Sequence, residues 1–184
     1  KKYDDITVIM SPSFGLEYFG QQHLNDNLFP LSGFSNKKTI NCNENGYYSI
    51  FQSDRFGFNN PDAEWDSEEI EFLLVGDSFT LGSCVNRPYD IGSKLRILSN
   101  RNVLNLGYVA NGPLFQFATL REYLEENVKN IIWLYYENDI FDLDRDLKSN
   151  ILLNYLNDNN FSQKLKFKQA NINDALAEFL SRVE

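Results

Sequence analysis

Three short apolar runs recur between residues 69 and 136 of this chain, each followed by a stretch of helical periodicity. That alternation limits the fold more than any other feature. Residues 69–75 read EIEFLLV, residues 103–106 read VLNL, and residues 130–136 read NIIWLYY. Apolar runs of this length predict strands buried on both faces. After the first, Ile91, Leu95 and Leu98 recur at helical spacing. After the second, Pro113 stands where a first helical residue would, with Phe117, Leu120, Arg121 and Leu124 following at helical intervals. Beyond the third, residues 146–156 and 171–180 read as helices, the latter with Ile172, Leu176, Phe179 and Leu180 on one face. The β-α-β-α-β-α order predicts an α/β fold with a doubly wound parallel sheet. In such sheets the ligand site lies outside the carboxyl ends of the strands.

With 184 residues, the chain has room for one such domain and little more. Residues 69–184 are assigned to it. Residues 1–68 lack its periodicity, and turn signals (Ser32-Gly33, Asn45-Gly46, Asn59-Asn60-Pro61) punctuate residues 31–60. The same stretch carries Tyr47, Tyr48, Phe51, Phe56 and Phe58, too many rings for a disordered tail. It is read as an ordered extension packed on the main domain. Exposure of those rings would favour a scaffold that docks a partner; burial would count against one.

Charge and composition remove several function classes. The net charge of −9 repels polyanions, and Lys164, Lys166 and Lys168 form too short a run to reverse this, so no nucleic-acid partner is expected. No apolar run approaches the roughly 20 residues that span a bilayer. The chain starts at Lys1, so an upstream anchor or leader is compatible with it. The compartment is left open, with export or membrane anchoring preferred to the cytoplasm. Cys42 and Cys84 fit either one disulfide or two thiols.

No cofactor or metal is expected. Asp142, Asp144 and Asp146 imitate the start of a calcium loop, but Leu147 and Leu153 stand where it needs Gly and Glu. An acidic helix start is the better reading of that cluster. Cys42, Cys84 and His23 have no metal-ligand spacing. Residues 76–82 lack the Lys-Ser/Thr of a phosphate loop.

The chemistry-bearing residues sit at the three predicted strand ends. The first strand runs into Gly76-Asp77-Ser78. A serine on a tight turn there exposes its hydroxyl, and outward N–H groups can hold an oxyanion. The alternative is a serine that merely caps a helix. The second runs into residues 105–113 (NLGYVANGP), whose N–H groups at a helix start favour anions, unless the glycines serve only the turn. The third runs into Tyr136-Glu137-Asn138-Asp139. An asparagine amide there can donate to a developing oxyanion without adding charge, or can simply cap a helix.

Together these three junctions resemble blocks I, II and III of the SGNH (GDSL-type) hydrolases, across residues 70–145. The segment Asp54-Arg55-Phe56-Gly57-Phe58-Asn59 resembles the extension of a bacterial subgroup. The resemblance implies a flavodoxin-like fold and a serine esterase or acyl (acetyl) transferase. Its substrate would be an ester of a small molecule, lipid or carbohydrate. By position, Ser78 matches the nucleophile. The Ser78 N–H, the Ala110 N–H and the Asn138 side chain match the oxyanion donors, with Asp77, Gly107 and Asp139 in support. Two positions depart from the pattern: Ala110 replaces the block II glycine, and Tyr136-Glu137 precede Asn138 where a glycine is usual.

The family takes its base from a late Asp-x-x-His, which this chain does not contain; its one histidine is His23. A serine without a base is a poor nucleophile. The leading expectation is that the base and the remaining strands lie past Glu184. The others are a degenerate shell that binds a glycan or acyl group, with Tyr108, Tyr135 and Tyr136 lining it, and a base supplied by His23 from its polar stretch.

Overall fold

The structure, a computed structural model, describes residues 6–11, 28–44 and 46–183. His23 lies outside the described residues. Strands β4 (Ile70–Val75), β5 (Val103–Asn105) and β6 (Val128–Trp133) form a parallel sheet in the order β5-β4-β6. Leu73 stands beside Leu104 on one side and Ile131 on the other. A smaller sheet joins β1 (Ile6–Val8), β2 (Lys38–Cys42) and β3 (Ser49–Gln52), with β1 parallel and β3 antiparallel to β2. The protein is therefore mixed α/β.

Helix boundaries follow local chemistry. Helix α1 (Ser78–Leu81) starts where the Asp77 side chain accepts from the Phe79 N–H, and ends at Gly82, whose φ of 84° favours a residue free of a Cβ. Helix α2 (Ile91–Ser99) is capped by Asp90, which accepts from the Ser93 N–H, and stops at left-handed Asn100. Helix α3 (Pro113–Tyr123) has its proline at the first position, as expected. Helices α4 (Asp139–Asp146), α5 (Asn150–Asn157) and α6 (Gln169–Val183) complete the chain.

Residues 146–156, read as one helix from sequence, are divided between α4 and α5. Ser149 breaks the run by capping α5 through Leu152 N–H. Of the acidic cluster, Asp142 lies in the first turn of α4, as a helix-start reading expects, and Asp144 and Asp146 lie further along it. Among the described residues no cluster of acidic, histidine or cysteine side chains could hold a metal ion.

One burial expectation fails. Strand β6 was expected to be buried on both faces through residue 136. It ends at Trp133 and is a sheet edge, with Ile131 and Trp133 exposed. Of the α2 stripe, Ile91 and Leu98 are exposed, Leu98 to 83%, and Leu95 is half-buried. What α2 turns inward is Gly92, Ser93 and Arg96, because Arg96 donates through Nε and Nη2 to the Val103 carbonyl at the end of β5.

Residues 28–68 share one core with the sheet. Phe29, Leu31, Phe51, Phe58 and Trp65 pack in the same cluster as Leu73, Leu104, Phe115 and Tyr123. Of the aromatic stretch, Phe51 and Phe58 are buried, whereas Tyr47 and Tyr48 are exposed. A buried carboxyl organises the 54–60 turn. Asp54 accepts from the Phe56 and Phe58 N–H groups, Asn60 Nδ2 and Trp65 Nε1. Cys42 and Cys84 form a disulfide, their Cα atoms 5.2 Å apart, tying β2 to the segment just after α1. Among the described residues no helix is long and apolar enough to cross a membrane.

Candidate functional site

Because β4, β5 and β6 run parallel, their carboxyl ends lie at one end of the sheet. The chain leaves β4 and moves to one side to make β5, then crosses to the other side to make β6. A crevice is expected at the carboxyl end where such a reversal occurs. Ser78 follows β4, Ala110 follows β5 and Asn138 follows β6, so each lies in a segment that leaves the sheet at that end.

Asp77, not Ser78, is the helix cap. Its Oδ1 accepts from Phe79 N–H at 2.9 Å. Ser78 is the first helical residue, half-buried, and neither its N–H nor its hydroxyl bonds to another described residue. The serine is thus unengaged where a capping serine would not be. Gly76 and Gly107 permit the close packing beneath it. A Cβ on Gly76 would stand 2.0 Å from Thr80 Oγ1, and one on Gly107 would stand 2.5 Å from the Leu81 nitrogen.

Asn138 precedes α4, yet its side chain makes no capping hydrogen bond. It lies instead beside the Asp77 carboxyl. Burial pushes the Asp77 pKa up, and the neighbouring Asp139 charge pushes it further. The Phe79 N–H, the Asn138 side chain and the Thr80 N–H pull it down. Asp77 Oδ2 meets no partner within hydrogen-bonding geometry among the described residues. The first and third junctions also meet through rings: Phe79 and Tyr136 lie 4.8 Å apart by centroid, both more than half exposed.

Ala110 has φ of 53°, in the left-handed region that favours glycine. It adopts the conformation for which a glycine would be suited, and its N–H donates to no other described residue. Its carbonyl accepts from Arg145 Nη2 at 2.9 Å.

Several supporting residues escaped the sequence reading. Asn105, fully buried, donates from Nδ2 to the Thr80 carbonyl (2.6 Å) and accepts at Oδ1 from Gly107 N–H (2.8 Å). It ties the serine turn to the second loop. The signal was available: a polar residue inside the apolar run VLNL. Gln116 of α3 joins three elements, donating from Nε2 to the Asn111 carbonyl and to Asp139 Oδ1 while its Oε1 accepts from Trp133 Nε1. Asp139 also accepts from Tyr136 N–H at Oδ2. Buried Asp146 caps α3 across space, accepting from Leu114 and Phe115 N–H groups. Burial raises its pKa to about 6 against the pull of Arg145. Nothing local in the sequence announces such distant partners.

Of the rings expected to line a binding surface, Tyr135 and Tyr136 are exposed. Tyr108 is not: it is buried in the core, edge-on to Phe58. No imidazole lies among the described residues. No family model, curated protein or solved structure matches this chain.

Proposed function

We propose that this chain carries the nucleophile and oxyanion site of an SGNH-type serine esterase or acyl transferase, on a doubly wound, flavodoxin-like sheet. The observation that carries the reading is the shared setting of the three junctions. An unengaged Ser78 stands at the tip of β4, and the Asn138 amide lies beside its neighbour Asp77. A left-handed Ala110 presents an unused N–H from the tip of β5. The β5-β4-β6 order is also that with which a flavodoxin-like sheet begins.

In this reading Ser78 Oγ attacks an ester carbonyl. The Ser78 and Ala110 N–H groups and the Asn138 amide stabilise the negative oxygen of the tetrahedral intermediate. Asp77 orders the turn and Asp139 the loop that bears Asn138. The proton acceptor for Ser78 is an imidazole in the family that the sequence resembles, and a serine hydroxyl needs one to react at a useful rate.

A fluorophosphonate ester tests the reading on the full-length protein. Peptide mass spectrometry should find the adduct on Ser78 and lose it in Ser78→Ala. Ester turnover that survives Ser78→Ala would refute it.

The exposed Phe79–Tyr136 pair beside the serine favours a second reading, a shell that binds a glycan or acyl group without cleaving it. A protein that binds such a ligand yet stays unlabelled by the probe would be that shell.

A further inference from the structure

Ala110 poses a mechanical question. A residue with a Cβ adopts the left-handed region at an energetic cost, and something must hold it there. Its N–H belongs to the peptide shared with Val109, and its carbonyl to the peptide shared with Asn111. The chain before it is anchored where Tyr108 N–H donates to the Gly76 carbonyl (3.3 Å). The peptide after it is gripped by Arg145, whose Nη2 donates to the Ala110 carbonyl at 2.9 Å.

Arg145 is itself fixed by two carboxylates of its own helix. Nη1 donates to Asp142 Oδ1 (2.8 Å) and Nη2 to Asp146 Oδ1 (3.3 Å). The second oxygen of Asp146 accepts from Leu114 and Phe115 N–H groups at the start of α3, the end of the same loop. Gly112 lets α4 close on that loop, for a Cβ there would stand 2.3 Å from Asp146 Oδ2. The loop is thus pinned at its carbonyl, at its far end and at its near end, with Ala110 between.

We infer that Arg145, seated by Asp142 and Asp146, is a positioning residue that holds Ala110 in its left-handed conformation and so aims the Ala110 N–H at the reacting oxygen. This rests on the esterase reading for its purpose, but not for its geometry. A guanidinium suits the task because its planar fork can hold a carbonyl and two carboxylates at once. An ammonium offers no such fixed fork. The alternative role is a plain surface ion pair along α4, which would leave Ala110 indifferent to its loss.

The two roles separate in the full-length protein with p-nitrophenyl acetate as substrate. Arg145→Gln should lower kcat by roughly tenfold or more, within the range that loss of a whole oxyanion donor reaches. KM should stay within about twofold, because the donor acts on the transition state. Arg145→Lys should lose nearly as much. Ala110→Gly placed in the Arg145→Gln background should recover most of the loss relative to Ala110→Gly alone, since glycine enters the left-handed region without a clamp. The Ala110 13Cα and 13Cβ shifts give a readout free of chemistry and should move away from their left-handed values in Arg145→Gln. Unchanged shifts, or a kcat loss that Ala110→Gly does not relieve, would overturn the inference. Absence of Ser78-dependent turnover in the wild type would instead sink the esterase reading, and the Ala110 shifts would still decide whether Arg145 holds the peptide.

Discussion

The side chain of Asn60 pairs with the main chain of Asn105 in both directions. Asn105 N–H donates to Asn60 Oδ1 at 2.8 Å, and Asn60 Nδ2 donates to the Asn105 carbonyl at 3.0 Å. One amide thereby satisfies the outer edge of β5, where a further strand would otherwise pair. Asn60 also donates to Asp54 Oδ2 and accepts from Arg96 Nη2. The 54–60 turn is thus part of the scaffold that fixes Asn105, and through Asn105 the serine turn.

Asn60→Ala should therefore be costly although Asn60 touches no reacting group. Buried partners left unsatisfied cost about 1–3 kcal/mol each. Asn60 serves several, so a loss of about 3 kcal/mol in urea denaturation is expected. A loss below about 1 kcal/mol would show that water replaces the amide.

Burial raises both Asp54 and Asp146 from 3.8 to about 6, for Asp54 against the pull of its four donors. The folded state then holds these protons more tightly than the unfolded chain does. Stability should fall as pH rises from about 4 to 6, by up to about 1.4 kcal/mol per pH unit for each group, and level off above that. Arg55 lowers Asp62 and Asp66, which act in the opposite sense: their contribution is lost only as pH falls below the ordinary carboxylate range. Urea midpoints between about pH 4 and 7 should show the decline, and Asp54→Asn should flatten it.

The Cys42–Cys84 bridge closes a loop between residues 42 apart in sequence. Its removal in a Cys42→Ala, Cys84→Ala variant should lower stability by about 2–4 kcal/mol. Thiol titration of the denatured, unreduced protein should find no free thiol.

Gly107 should tolerate no side chain. The Cβ of alanine would meet the Leu81 nitrogen at 2.5 Å and Thr80 Cβ at 2.6 Å, and backbone cannot swing aside as a flexible side chain can. Gly107→Ala should cost about 1–3 kcal/mol by overpacking and should shift the serine turn, weakening fluorophosphonate labelling of Ser78.

How much of this was legible in the sequence depends on the range of the interaction. The runs at residues 70–75 and 103–105 announced strands because burial on both faces favours near-continuous apolar residues, broken here only by Glu71 and Asn105. Pro113 announced a helix start because its constraint is local. The exposure of β6 was not legible, since an apolar run does not say whether its strand is central or at an edge. Nor was the outward turn of α2, whose inner face is decided by Arg96 reaching the Val103 carbonyl. At the candidate site, Ser78 and Asn138 could be named by their places at strand ends, and Ala110 only by the resemblance. The polar Asn105 within an apolar run was a visible signal, but its partner Thr80, 25 residues away, was not; the Arg145 and Asp146 contacts to the 110–115 loop reach across 31 to 35 residues, which no local pattern encodes.

Asn138 offers the sharpest division between a structural and a catalytic side chain. It heads α4 but its amide caps nothing, and the residue is exposed, so Asn138→Ala should leave the urea midpoint within about 0.5 kcal/mol of wild type. If the amide is an oxyanion donor, the same change should lower kcat about 100- to 1000-fold. Asn138→Asp should be no better, because it replaces a donor by a negative charge beside Asp77 and Asp139, where burial already disfavours ionisation of Asp77. Full turnover in Asn138→Ala would remove the amide from the site, whereas a large loss of stability would return it to the scaffold.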